Sequence, residues 1–247
     1  MDPKLSDKAI ITPVRSRRTP QLGPVAALVG TKTDFEVLRR SLKPKGSGLR
    51  DLFTGHLFIT DQTQGRFSIA GPLMGAPAAV MFLETLIAWG ARKFVYFGWC
   101  GAIAPQIKIG DIIVPTGAVI DEGTSRHYHA GLHQTAVPSL GISNAIRQIL
   151  NAHAHPFHDG LIWTTDAIFR ETPAKVEFFQ QQGALGVEME TSALFTVAHY
   201  HQVEMGCVLV VSDELASLKW QPGFKEERFK KSRAVIGDLI PMLGKAL

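Results

Sequence analysis

Apolar residues fall along the chain in two kinds of run, and run length separates strands from helices. Val25-Ala26-Ala27-Leu28-Val29 is apolar at every position and stops at Gly30, which predicts a buried strand feeding a loop, Gly30-Thr31-Lys32-Thr33-Asp34. Residues 56–60 and 66–70 predict two further strands on either side of a polar turn at 61–65. Gly75-Ala76-Pro77 then opens a run that continues to about Trp89, where Gly90 follows. Proline near the first helical position and glycine past the last predict a helix there. Strands are predicted at 93–97, at 111–115 with an extended continuation through Ile120, at 160–165 and at 207–211. A glycine turn, Gly98-Trp99-Cys100-Gly101, follows the first of these. Helices are predicted over 143–152, 173–182 and 190–201, the last almost unbroken in apolar character, with a charged amphipathic helix over about 225–239.

Strands alternating with helices predict an α/β fold: a single-domain layered structure with a central mixed β-sheet flanked by helices. The 247 residues, 45% of them hydrophobic, suffice for one large core, and no linker, low-complexity run or repeat divides them. The expected organisation is an N-terminal arm over 1–24 and one domain over 25–247. Arg15, Arg17 and Arg18 lie in that arm and read as solvated. The net charge of +4 comes with no basic stripe or nucleic-acid-binding motif, which argues against nucleic acid, while it suits an anionic small substrate. Two cysteines, Cys100 and Cys207, make neither a disulfide framework nor a metal-ligand spacing, so no metal is expected. The first eight residues lack the apolar core of a signal peptide and no later run approaches a membrane span, so a cytoplasmic protein without membrane partners is expected.

The chemistry concentrates in Gly186-Val187-Glu188-Met189-Glu190-Thr191-Ser192, two carboxylates two residues apart where an apolar strand hands over to a helix. A carboxylate only accepts hydrogen bonds and a ribose offers two adjacent O–H donors, so Glu190 supplies the complement, with Met189 as a soft surface under a sugar ring. The alternative is a helix start, where acidic residues meet the helix dipole and Thr191 and Ser192 sit near the cap.

Three other segments join this one: Gly98 to Ile103, Gly110-Asp111-Ile112-Ile113-Val114-Pro115 leading to Asp121-Glu122-Gly123-Thr124-Ser125, and Val211-Ser212-Asp213. In this order and spacing the chain resembles the nucleoside phosphorylase superfamily, which includes hexameric purine nucleoside phosphorylases, uridine phosphorylases and methylthioadenosine nucleosidases. The resemblance runs from about Val25 to the C-terminal helix. It implies an enzyme that breaks a ribosyl N-glycosidic bond through a cation-like sugar. The implied reaction gives free base and ribose 1-phosphate from a nucleoside and phosphate, with phosphate as co-substrate and no cofactor. A nucleosidase using water, or a nucleoside binder with little catalysis, is the alternative. A homo-oligomer, dimer or hexamer, is also implied.

By position the resemblance makes Glu190 the ribose-binding carboxylate, Met189 the residue under the sugar, and Glu188 a neighbour in the base or sugar pocket. Asp213 matches the acid that assists a leaving purine at its imidazole nitrogen, against an ordinary loop or cap aspartate. Uridine phosphorylases usually lack that acid, which tilts the base toward purine. Ile168 falls where a base-stacking aromatic is common, and its neighbour Phe169 either takes that role or is a core residue. Met74 matches a methionine near the sugar, against a core reading. His127 and His129 are exposed or reach a sugar hydroxyl of a neighbouring subunit.

The phosphate site departs from the family pattern. Of the usual Gly-Asp-Pro loop only Gly30 remains, with Lys32 as a substitute donor. Tyr96 stands at the strand position usually held by Arg, and Trp99 at the position of a hydroxyl residue. An arginine fork is not replaced by neutral groups at equal strength. Either Lys32, Arg39, Arg40 or Arg50 rebuilds the site, within the chain or from another subunit, or phosphate is not the nucleophile.

Overall fold

The computed structural model describes residues 9–42, 48–60, 67–128 and 134–247. The turn expected at 61–65, Arg66 and His129 lie outside the described residues. The first strand, β1 (Val25–Val29), is buried at all five positions and pairs in parallel with β4 (Ser68–Gly71) and β5 (Lys93–Ala102). Its alternate side chains enter two different cores, as the two-residue period of a strand requires. Ala26 and Leu28 pack with helices α2 (Ala76–Ala88) and α5 (Thr191–Tyr200). Val25, Ala27 and Val29 pack with α1 (Lys32–Ser41), α3 (Leu140–Ala152) and α6 (Glu227–Ala246). The layered α/β expectation therefore holds, with helices on both faces of one mixed sheet.

Strands β2 (Leu49–Leu52) and β3 (Gly55–Ile59) extend one edge beyond β4 by antiparallel pairing. At the other end the sheet closes on itself. β5 pairs along its whole length with β10 (Glu204–Glu214), while its opposite edge serves β1 first and then β9 (Ala184–Glu188). β10 pairs with β6 (Ile112–Asp121), β6 with β8 (His158–Thr165) and β8 with β9, which completes a ring of five strands. The short β7 (Thr135–Ala136) adds to β6 and β11 (Gln221–Pro222) to β10. Helix α4 (Pro173–Gln181) packs on a third cluster around Trp163 and Val187.

Three expectations need correction. The glycine turn at 98–101 is the second half of β5, held straight by its pairing with β10. Its glycines serve close approach instead, because a Cβ on Gly98 would lie 2.5 Å from the Tyr96 hydroxyl oxygen and one on Gly101 2.5 Å from Leu215. The loop expected after β1 is helical from Lys32, because Thr31 acts as N-cap and its side chain accepts from the Asp34 N–H at 3.2 Å. The last helix runs to Ala246, beyond the expected stop near 239, and carries Pro241 inside it.

Candidate functional site

The strand β9 ends at Glu188 and α5 begins at Thr191, so the two glutamates sit at one strand-to-helix junction. They do different work there. Glu188 folds forward to cap the helix: its Oε2 accepts from the backbone N–H groups of Glu190 at 2.8 Å and Thr191 at 2.7 Å. Its Oε1 accepts from the Thr164 hydroxyl at 2.5 Å. Glu190 points across the sheet, where Oε1 accepts from the Gly75 N–H at 2.6 Å and Oε2 from the Tyr96 hydroxyl at 2.8 Å. A carboxylate has about four lone-pair positions, so Glu190 retains about two for a ligand. Burial raises the pKa of both glutamates, and the charge of Glu190 pushes Glu188 further in the same direction. Burial, followed by the Glu190 charge, holds Tyr96 well above the usual phenol value and keeps it a donor.

These groups line a cavity of about 520 Å³ at the carboxyl ends of β1, β9 and β10, with the second half of β5 as one wall. Crevices outside strand carboxyl ends are where open α/β sheets bind ligands. Of the residues singled out from the sequence, Gly30, Met74, Phe169, Glu188, Met189, Glu190 and Asp213 all line it. Met74 is 83% exposed and Phe169 97% exposed, so neither is a core side chain. Phe169 and Ile168 stand on a single 3₁₀ turn, Ile168–Arg170, at the cavity mouth.

Asp213 lies inside β10, near its end, and both its oxygens are engaged. Oδ1 accepts from the Ser212 hydroxyl at 2.6 Å and Oδ2 from the Trp220 indole N–H at 2.9 Å. Burial raises its pKa against the pull of those two hydrogen bonds. Beside it stands Glu171, which the sequence reading did not single out. Burial, and next the charge of Asp213, push its carboxyl up to about 7, opposed by Lys175. The one sequence signal for Glu171 is its place just before Thr172-Pro173, a helix start that leaves the preceding residue in a loop. Trp220 gave no signal, since its partner lies across a turn between β10 and β11.

The remaining corner, around Gly30 and Thr31, contains an ion pair in which Asp34 is buried and Arg233 partly so. Asp34 Oδ1 accepts two hydrogen bonds from Arg233, from Nε at 2.9 Å and from Nη2 at 2.6 Å. Asp34 Oδ2 accepts from the Trp99 indole N–H and the Thr31 hydroxyl, both at 2.7 Å. The Arg233 guanidinium also lies 4.7 Å from the Trp99 ring centre. Lys32 is exposed on the first turn of α1 and does not line the cavity. Arg39 pairs with Glu36 at 2.8 Å, and neither Arg39, Arg40 nor Arg50 lines the cavity. Among the described residues the lining contains four carboxylates, Glu171, Glu188, Glu190 and Asp213, and no Lys, Arg or His. His127 is exposed and outside the lining. Among the described residues no helix is long and apolar enough to cross a membrane.

Three comparisons place the chain among known proteins. The phosphorylase superfamily profile matches residues 24–240. A purine nucleoside phosphorylase DeoD-type of Shewanella baltica (strain OS223) is 30% identical over 151 residues, which is 61% of this chain and 64% of that relative, just under two thirds of its length. A DeoD-type 2 enzyme of Shewanella oneidensis is 29% identical over the same shares of each chain. Among solved structures, a Campylobacter jejuni 5′-methylthioadenosine/S-adenosyl homocysteine nucleosidase superposes with a TM-score of 0.78 at 18% identity, covering 91% of this chain and 100% of that one. A uridine phosphorylase of Vibrio fischeri ES114 gives 0.78 at 22% identity, covering 94% and 98%. The P knowlesi homolog of P falciparum PNP gives 0.75 at 20% identity, covering 92% and 91%. These structures share the fold, and the profile match over most of the chain fixes the family: this protein belongs to the phosphorylase superfamily.

Proposed function

We propose that this protein cleaves the N-glycosidic bond of a purine-type ribonucleoside and that water receives the sugar. The observation that carries the choice of water is the cavity wall: four carboxylates and, among the described residues, no cation. A phosphate dianion in that setting finds none of the charge-assisted donors that would offset its desolvation. The Arg233 guanidinium, which lies against the Trp99 ring, is already held by Asp34.

In this reading Glu190 accepts from the ribose 2′- and 3′-hydroxyls, oriented by Tyr96 and the Gly75 N–H. Met189 and Met74 flank the sugar and Phe169 covers the base. Asp213 gives its proton to the base nitrogen as the C1′–N bond breaks. The water oxygen bonds to C1′ of the cation-like sugar, and the proton that water sheds returns through solvent to Asp213. General acid assistance of this kind contributes about 10²- to 10⁴-fold.

Phosphorolysis is the second reading, favoured by the 30% identity to purine nucleoside phosphorylases and by Gly30 and Thr31 at the anion corner. It requires a cation that the described cavity lining does not supply. A panel of nucleosides assayed in rigorously phosphate-free buffer and again with phosphate separates the two. Free ribose at a rate indifferent to phosphate is the expected result. Cleavage only with phosphate, giving ribose 1-phosphate, would establish phosphorolysis, and binding without cleavage would make the protein a nucleoside binder.

A further inference from the structure

The four carboxylates of the cavity are not equivalent. Glu188 accepts three hydrogen bonds from the protein, Glu190 two and Asp213 two. Glu171, half-buried in the same wall, receives none from the described residues, so its carboxyl is the one whose hydrogen-bonding capacity is directed wholly at whatever fills the cavity. It follows directly on the turn that carries Phe169 and lies close enough to Asp213 for the two charges to oppose each other. It therefore belongs to the base end of the site.

We propose that Glu171 is a specificity-determining residue that reads the substituent next to the imidazole ring of the purine, donating to a 6-oxo group when protonated and accepting from a 6-amino group when ionised. The proposal rests on the purine reading above and adds the base edge that reading leaves open. The groups facing Glu171 are Asp213 on β10, which favours the protonated form, and Lys175 on α4, which favours the ionised one. Lys175 is itself paired with Asp121 at 2.7 Å. Burial and Asp213 prevail, and the carboxyl titrates at about 7, so both forms are present near neutrality. A hydrogen bond involving a charged or strongly polarised partner is worth about tenfold or more in affinity, enough to reverse a preference.

The test is binding of the free bases hypoxanthine and adenine by titration calorimetry, at about pH 6 and about pH 8, on either side of the carboxyl midpoint. Both bases remain predominantly neutral over that span. The wild-type preference for hypoxanthine over adenine should fall by about tenfold across it. Glu171→Gln carries both a donor and an acceptor at all pH values and should remove the dependence while still binding; Glu171→Ala should remove it and weaken both bases. Asp213→Asn should keep a dependence, displaced to lower pH because the neighbouring charge is gone. A shift that persists unchanged in Glu171→Gln, one that vanishes in Asp213→Asn, or a wild-type protein that binds neither base would overturn the assignment. If the shift is present but no nucleoside is cleaved, the cleavage reading fails and the role of Glu171 stands; cleavage without the shift has the opposite meaning.

Discussion

Two corners of the cavity grow from the same strand and end in opposite chemistry. Tyr96 and Trp99 both belong to β5, but their odd spacing sends them to opposite faces of the sheet, Tyr96 toward the α2 and α5 layer and Trp99 toward α1 and α6. Tyr96 meets Glu190, whose carboxylate keeps free acceptor positions facing the cavity. Trp99 meets Asp34, whose carboxylate is matched by Arg233 and has no such freedom. One corner is thus prepared for a ligand with hydroxyl donors, and the other already contains its own anion and cation. Side chains at two positions of one strand therefore lead to a carboxylate with free acceptor positions at one corner and to a carboxylate already matched by a cation at the other.

The comparison breaks most visibly at Glu190. In the proposed reading Glu190 is the acceptor for two ribose hydroxyls, so Glu190→Ala should lose two charge-assisted hydrogen bonds, about 10²- to 10⁴-fold in kcat/KM. The wild type should prefer a ribonucleoside to its 2′,3′-dideoxy analogue, and the variant should not. Because Ala also leaves the Gly75 N–H and the Tyr96 hydroxyl without a partner, Glu190→Gln serves as the control that keeps the shape. A variant that still discriminates between the two sugars would show that the diol is held elsewhere.

At the anion corner the expected effect falls on stability. Arg233→Met leaves Asp34 buried and unmatched, which costs about 3–5 kcal/mol when one partner of a buried pair is removed. Replacing both, as Asp34→Leu with Arg233→Met, should recover much of that loss, because the desolvation of both charges disappears together. Urea midpoints of the single and double variants give the answer. A single variant as stable as the wild type would mean that Asp34 is neutralised by something other than Arg233.

How far the sequence alone leads follows the same division. The strand β1, helices α2 and α5 and the junction at Glu188 and Glu190 were legible because each is written in consecutive residues: an apolar run, a proline and glycine at the ends, two acids at a turn. The layered fold and seven of the cavity-lining residues follow from such local signals and from the resemblance they support. The partition of labour between Glu188 and Glu190 was not legible, since the partners that divide it, Thr164, Gly75 and Tyr96, are far away in the chain. Arg233 lies 199 residues from Asp34, and no local pattern announces such a pair. The glycines of β5 misled for a related reason: they answer to Tyr96 and to Leu215 across the sheet, and a reading along the chain takes them for a turn.

A smaller effect distinguishes the two glutamates from each other. Glu188 caps α5 and is buried, and its pKa is raised first by burial and then by the charge of Glu190. The folded state therefore holds its proton at pH values where the unfolded chain, with a glutamate near about 4.3, has released it. The sign follows: the folded state binds more protons, so this contribution to stability is fully present below the unfolded pKa and is lost as pH rises through the raised folded value. Glu188→Gln keeps an acceptor for the two helix N–H groups and presents an amide to the Thr164 hydroxyl, while removing the titration. The wild-type urea midpoint should fall between about pH 5 and about pH 8, and the variant should fall less, with Glu190 supplying the remaining slope. Equal slopes in the two proteins would show that Glu188 ionises in the fold as easily as it does in the unfolded chain, and the distinction between a capping carboxylate and a ligand-binding one would have to be drawn on hydrogen bonds alone.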